Sequence, residues 1–250
     1  MLSSERLLLG VSGDDLQPRL MVLNFLLESP DLHSIETVTH ANSFAFEPIQ
    51  SWPLGSHWSD NGVVDMDIRA EPGPATCSPP GLKVPFGLDT QDRLIAVTQH
   101  VRSGVLHYFI PSRAMTMLIG ERDTGQWGRV FPWEEWGPQR TRCFLSARSL
   151  SNVWVCTTYG MRGVLPKLDH SSWWLLEFNQ GVVQQSLRER QVKVKESRVA
   201  KPFRNDVVTR GQFQIATFRG DEDSRCEVML SEDNLVFVDV REFCALSDLC

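Results

Sequence analysis

Apolar and polar residues alternate along short stretches of the chain, and the clearest example is Val63–Ala70. There Val64, Met66 and Ile68 alternate with charged neighbours. A side-chain period of two is typical of a β-strand with one buried face. Similar runs, separated by Gly, Pro, Asn, Asp and Ser, recur roughly every 8–20 residues. The pattern therefore predicts that strand follows strand along most of the chain, and the aromatic-rich run Trp127–Trp136 is predicted to belong to this series.

Two neighbouring runs, Leu94–Val101 and Val105–Ile110, are separated by three residues that include Gly104. That spacing predicts a β-hairpin. Immediately after it, Pro111–Gly120 has Pro at its start, then Ala, Met and Leu, and a closing Gly, which together predict a short helix. A second short helix is expected near Val183–Arg190.

The last third of the chain is predicted to be a three-stranded meander. Its runs are Gln212–Phe218, Cys226–Leu230 and Leu235–Val240, and turn-forming residues separate them. A fourth strand beside these three would complete a unit like one blade of a β-propeller.

These patterns predict an all-β fold of antiparallel meanders that is partial or divergent β-propeller-like, with one or two short helices. We expect residues 1–250 to form a single β-rich domain, since β-rich chains of this size are often one unit. Residues 71–82 are a predicted loop excursion, because the prolines of Glu71–Pro80 lack the backbone donors that a sheet requires. The sequence has no G-H…W-D signature, so any propeller is divergent.

Charge and cysteine content narrow the class of protein. The 250 residues have a formal net charge of −6, which provides no overall attraction to nucleic acid or to an anionic membrane. The six cysteines include no C-x-x-C pair, so we expect reduced thiols, no zinc cluster and no cofactor. The N-terminal apolar run is only Leu7–Leu9, and no later run has the length of a membrane span. We therefore expect a cytoplasmic, or else nuclear, protein without a membrane partner.

Glu134 and Glu135, flanked by Trp133 and Trp136, are the strongest indication of catalysis in the sequence. Glycosidases cleave sugars with paired carboxylates, and this pair lies beside aromatic rings that could hold a sugar. The alternative is that the glutamates cap a turn while the tryptophans pack in the core. We prefer this alternative because no second carboxylate can be placed opposite the pair. Motifs of nucleotide binding, metalloproteases and serine hydrolases are also absent.

Two other pairs of titratable residues are candidates for chemistry. His100 and His107 flank the predicted hairpin turn and could approach each other, but a metal would need a third ligand that the sequence does not mark. Asp65 and Asp67 lie two apart on a predicted strand, and we interpret them as its solvated face. Neither pair is assigned a catalytic or metal-binding role.

Residues 188–204 contain seven basic and two acidic side chains. Within this segment Lys193 and Lys195 alternate with valines and Arg198 follows, which predicts a basic strand face. A nucleic-acid binder is one interpretation, although only Phe203 is available for base stacking. A solvated strand face followed by a charged edge fits the segment better. If this surface is functional, an acidic protein is the expected partner, and no small-molecule ligand is expected.

The stretch Val130–Phe144 reads V-F-P-W-E-E-W-G-P-Q-R-T-R-C-F and resembles a recurrent segment of fungal F-box-like proteins. In those proteins a strand and a Y-G-x-R hairpin follow, and Val153–Arg162 here reads V-W-V-C-T-T-Y-G-M-R. Asp89–Thr98 and the final D-N-L-V-F-V-D-V are also similar to that family. The resemblance extends from about Arg6 to the C-terminus and is most specific over Pro132–Arg162.

The resemblance implies a substrate adaptor of a cullin-type ubiquitin ligase. In such proteins an N-terminal F-box docks to a linker subunit, and a large β-rich region, often propeller-like, holds the target. No leucine-rich F-box segment precedes Leu7, so we expect the recognition region without its F-box.

The expected function is therefore a non-catalytic protein-interaction module. A carbohydrate-active hydrolase and a nucleic-acid binder remain the alternatives. The candidate binding residues that the sequence marks are Trp133, Glu134, Glu135, Trp136, Lys193, Lys195 and Arg198.

Overall fold

The chain is described here by a computed structural model. The described residues are 6–13, 16–24, 27, 41–49, 63–70, 92–101, 104–120, 127–146, 158–166, 172–179, 196–200, 202–203, 205–211, 213–219, 226–230 and 235–239. They contain 16 strands and two helices, and every strand pairing except one is antiparallel. The predicted all-β class with antiparallel meanders and one or two short helices is confirmed.

The strands form three four-stranded sheets and two hairpins. Sheet A contains β1 (Arg6–Gly13), β2 (Leu16–Asn24), β3 (Ala41–Ala45) and β7 (Val130–Phe131). Sheet B contains β4 (Val63–Arg69), β5 (Leu94–Val101), β6 (Gly104–Pro111) and β8 (Arg142–Ser146). Sheet C contains, from one edge to the other, β14 (Gln214–Arg219), β11 (Ser172–Glu177), β10 (Arg162–Pro166) and β9 (Thr158–Tyr159).

The remaining elements are shorter and lie beside these sheets. The first hairpin pairs β12 (Ser197–Val199) with β13 (Val207–Thr209), and the second pairs β15 (Cys226–Leu230) with β16 (Leu235–Asp239). The helices are α1 (Ser112–Gly120) and α2 (Trp133–Arg140).

Sheet B lies in the middle of a stack, because alternate residues of its strands enter different cores. On β5, Ile95 and Val97 pack with residues of sheet A, whereas Leu94 and Ala96 pack with residues of sheet C. A strand covered on both faces needs a continuous apolar run, and β5 begins L-I-A-V. The sequence of this strand therefore reflects its position between two layers.

Sheet C is also covered on two faces. Leu165 and Leu176 face sheet B, while Val164 packs with Val228 and Leu230 of the hairpin β15–β16. Sheet A, sheet B, sheet C and this hairpin thus stack face to face, as successive blades of a propeller do. The described strands do not close into a barrel, so the prediction of a partial or divergent propeller-like fold is confirmed.

The predicted hairpin and first helix are confirmed as β5–β6 and α1. Gly104 begins β6 with φ at 140°, and a Cβ added there would overlap the Ser146 carbonyl. Glycine is therefore required at this turn. The predicted helix near Val183–Arg190 and the loop excursion at 71–82 lie outside the described residues.

The predicted C-terminal meander is wrong in its first link. β14 pairs with β11 of sheet C, while β15 pairs with β16 in a separate hairpin. Adjacent strands usually pair, but here burial decides the pairing. Val228 and Leu230 cover Val164 on one face of sheet C, and that face would lose this cover if β15 lay beside β14.

The aromatic run Trp127–Trp136 was predicted to belong to the series of strands, and this is also corrected. Only Val130–Phe131 is a strand, and α2 begins at Trp133. Pro132 is the N-cap residue and has extended backbone, and the carboxylates of Glu134 and Glu135 interact favourably with the helix dipole in its first turn.

Candidate functional site

Helix α2 connects β7 of sheet A to β8 of sheet B. Trp133, Trp136 and Gly137, at positions i, i+3 and i+4, are buried, whereas Glu134 and Glu135 are exposed. This spacing directs one face of the helix into the core and the other toward solvent. The segment that the sequence marks most strongly is thus divided between a buried face and an exposed face.

The two tryptophans of α2 are enclosed in an aromatic cluster between sheets A and B. Trp136 is 1% exposed, and its Nε1–H donates to the Ala45 carbonyl over 2.9 Å. Trp133 is 4% exposed and packs edge-on against Trp136 with ring centres 5.1 Å apart. The interpretation of these tryptophans as core residues is confirmed, and neither ring lies on the surface as a contact for a partner. The other rings of the cluster are Phe44, Phe46, Tyr108 and Phe131.

On the exposed face of α2, Glu135 accepts a hydrogen bond from Arg129, with Nη2 and Oε2 2.8 Å apart. The guanidinium carbon of Arg129 also lies 4.6 Å from the centre of the Phe131 ring. An exposed ion pair contributes little to the free energy of unfolding. It does restrict the direction in which the Glu135 carboxylate points.

Glu47, which follows β3, interacts electrostatically with Glu134 on α2. Partial burial, and secondarily the charge of Glu134, raise the pKa of Glu47 above its ordinary value. The sequence alone does not indicate this second carboxylate, because Glu47 and Glu134 are far apart along the chain. Only the packing of β3 against α2 brings them together, and no local signal reports that packing.

Arg142 attaches the hairpin β12–β13 to sheet B. The side chain is fully buried, and its Nη1 donates to the Thr209 carbonyl over 2.8 Å and to the Ser197 hydroxyl over 3.2 Å. Its guanidinium carbon lies 4.3 Å from the centre of the Phe213 ring. Burial lowers the pKa of Arg142 to about 10, and the charge of Glu196 opposes that change. The group stays charged at pH 7 and has a structural role.

Of the three predicted basic residues, Arg198 is described, whereas Lys193 and Lys195 lie outside the described residues. Arg198 is exposed on β12, and its guanidinium nitrogens lie 3.5 Å from a Glu196 oxygen and 3.4 Å from an Asp206 oxygen. Two carboxylates therefore balance its charge. The hairpin β12–β13 packs against α2 through β13, so Arg198 and the predicted residues of α2 lie on neighbouring elements.

His107, on β6, is 3% exposed, and its Nε2 has no hydrogen-bond partner in the part of the chain that the structure describes. Burial, and secondarily the charge of His100, lower the pKa of His107 to about 3, so the ring is neutral at pH 7. The strand register places both histidines on one face of sheet B, and His100 Nε2 lies 4.0 Å from Asp67 Oδ2. Among the described residues no group of three His, Cys, Asp or Glu side chains could hold a metal ion.

The chain matches no protein-family model, no curated protein and no solved structure. Within the described ranges, neither helix is long and apolar enough to cross a membrane.

Proposed function

We propose that the chain is a non-catalytic protein-interaction module resembling the substrate-recognition region of an F-box ubiquitin-ligase adaptor. The main support is that Glu134 and Glu135 are exposed on a helix whose opposite face is fixed by Trp133 and Trp136. Side chains presented by a rigid element lose less conformational entropy on binding than side chains on a mobile loop.

The segment Val130–Phe144, which carries the resemblance, supplies the scaffold for this surface. Its tryptophans pack between two sheets, and its Arg142 binds the hairpin β12–β13. The exposed side chains of α2 include the adjacent carboxylates of Glu134 and Glu135, and Glu47 interacts electrostatically with Glu134. We therefore propose that the partner contributes Lys or Arg side chains to this surface, because complementary charges favour encounter and specificity.

Affinity capture with charge-reversed variants tests this proposal. Tagged wild-type chain, Glu134→Lys and Asp67→Lys would be compared in cells of the source organism, with capture read out by quantitative mass spectrometry. Asp67 is exposed on β4 and gives the same change of charge elsewhere on the molecule. We expect proteins captured by the wild type and by Asp67→Lys to fall at least roughly tenfold with Glu134→Lys. Equal capture by all three proteins would contradict the proposed surface.

An added F-box separates client recognition from ligase docking. The same capture would be made with the chain alone and with a known F-box fused to its N-terminus. We expect the fusion to bring in the linker subunit while the set of client proteins stays the same. A client set that appears only with the fusion would count against recognition by this chain.

A hydrolase is the second candidate, and the nearness of Glu47 to Glu134 is the observation that favours it. A raised pKa of one carboxyl beside another is a feature of acid–base pairs. However, the rings of Trp133 and Trp136 are enclosed and present no face to a sugar. Turnover of a panel of aryl glycosides that disappears in Glu47→Gln and in Glu134→Gln would replace the interaction module with an enzyme.

A further inference from the structure

Most outer strands of the three sheets are protected against pairing with another chain. A sheet edge exposes backbone donors and acceptors, and proteins shield it with short strands, bulges or covering segments. Strands β7 and β9 have two residues each, and β1 and β4 contain irregular register shifts. β8 is covered by the hairpin β12–β13, to which it is joined by Arg142 and Cys143.

Strand β14 lacks these protections. It pairs with β11 over six consecutive residues without a register shift, and the stretch Gln214–Phe218 contains neither a charge nor a proline. Ile215, Ala216 and Thr217 are all exposed, Ile215 to 41%. Among the described residues no strand pairs with the outer side of β14. Consecutive exposed residues point to opposite faces of a sheet, so β14 extends beyond the layers on both sides.

We propose that β14 pairs in antiparallel fashion with β14 of a second copy of this chain, so that sheet C continues across a two-fold axis. A two-fold interface must be complementary to itself. An axis at Ala216 places the small Ala216 side chains of both copies opposite each other and places Ile215 opposite Thr217. Pairs of β-branched residues stabilise antiparallel strands. No like charges meet between Gln214 and Phe218.

The small surface area that this contact would bury predicts a low affinity. A single pair of short strands buries less than the roughly 1,200 Å² of a standard stable interface. We therefore expect a weak dimer whose population rises with protein concentration between roughly micromolar and submillimolar. This inference does not depend on the client-binding surface of α2, because the two surfaces use different residues.

Sedimentation-velocity measurements on variants of Ala216 test the symmetric register. Ala216→Lys places two ammonium groups opposite each other across the axis, and Ala216→Glu places two carboxylates there. We expect each variant alone to dimerise at least roughly tenfold more weakly than the wild type, because like charges directly opposite each other destabilise a strand pair. Mixing the two variants should restore association, because the introduced ammonium group of one chain would then face the introduced carboxylate of the other in a heterodimer.

Val130→Lys is the matched control, since Val130 is also an exposed apolar strand residue and lies on β7, one of the protected outer strands. It should dimerise as the wild type does, and circular dichroism should show that all variants are folded. A wild type that stays monomeric at submillimolar concentration would overturn the proposal. So would dimerisation that is unchanged in Ala216→Lys, or a mixture of the two Ala216 variants that associates no better than either alone. If an extended peptide from another protein binds at β14 and the chain does not self-associate, the edge belongs to that partner instead.

Discussion

Helix α2 and strand β14 differ both in how distinctive their sequences are and in how exposed their side chains are. The W-E-E-W-G-P run of α2 is the most distinctive segment of the chain, yet its tryptophans are buried. β14 contains no motif, yet Ile215, Ala216 and Thr217 are consecutively exposed. The comparison shows that a distinctive sequence can reflect the demands of packing, whereas a plain sequence can form the open surface.

The composition of the α2 run follows from its packing. Gly137 lies directly against the Trp133 ring, where a Cβ would overlap the ring atoms. Thr141, just after the helix, donates from its hydroxyl to the Gly137 carbonyl over 2.8 Å. Each of these residues therefore has a structural reason to be present, and the two glutamates are the exposed residues of the W-E-E-W-G-P run.

The largest expected effect is that of removing a ring from the α2 cluster. We expect Trp136→Ala to lower the free energy of unfolding by about 3–5 kcal/mol, because it creates a cavity and leaves the Ala45 carbonyl without its donor. Urea unfolding followed by circular dichroism measures this. Met117→Ala, at an exposed position on α1, is the control and should change stability by less than about 0.5 kcal/mol. A similar small change in Trp136→Ala would contradict the structural role of α2.

A somewhat smaller loss is expected from Arg142→Met, which preserves most of the side-chain volume. The carbonyls of Thr209 and Gly211 would lose their donor, and we expect a loss of about 2–3 kcal/mol. Limited proteolysis should then cut the hairpin β12–β13 before α2. Unchanged stability would mean that the cost of burying the guanidinium cancels its hydrogen bonds.

The next effect is smaller, per pH unit, than the loss in Arg142→Met; it depends on pH and arises at His107 on β6. Its pKa is lowered to about 3 in the folded chain, against about 6.5 in an unfolded chain. Between these values the unfolded state binds the proton and the folded state does not, so stability falls as pH falls. The stabilisation from the neutral ring is complete above about pH 6.5 and is lost toward pH 3, with a slope of at most about 1.4 kcal/mol per pH unit. Unfolding of the wild type and of His107→Leu, measured at a series of pH values, tests this loss. If the free energy of unfolding depends on pH in the same way in both proteins, the prediction is wrong.

The smallest effect is expected at β14. Because Ala216 is exposed, Ala216→Lys should change the stability of the dilute monomer by no more than about 0.5 kcal/mol. Thermal unfolding at low protein concentration measures this change. A loss near that of Trp136→Ala would show that the outer side of β14 is packed within the monomer, and it would remove the contrast with α2.

The sequence predicted the elements that depend on local pattern. The apolar run of β5, the glycine turn before β6 and the helix α1 carry their signals within a few residues. Helix α2 also has local helix signals: Trp133 and Trp136 are three residues apart, and Glu134 and Glu135 make its first turn acidic. The aromatic content of the run nevertheless favoured a strand.

The features that the sequence analysis missed depend on contacts between distant segments. The pairing of β14 with β11, the nearness of Glu47 to Glu134 and the attachment of Arg142 to the hairpin β12–β13 all follow from the stacking of sheets. Of the predicted site, Glu134, Glu135 and Arg198 are exposed, and the two tryptophans are not. Alternation along a strand identifies a buried face but does not report which sheet covers it.

Hydrogen exchange as a function of protein concentration tests the contrast between α2 and β14 most directly. We expect the amides of 133–140 to be equally protected in dilute and concentrated protein, because their protection comes from the monomer core. The amides of 214–219 that face outward should exchange rapidly in dilute protein and slow down as concentration rises. Outward amides of β14 that are already protected in dilute protein, or that never slow down, would contradict the account.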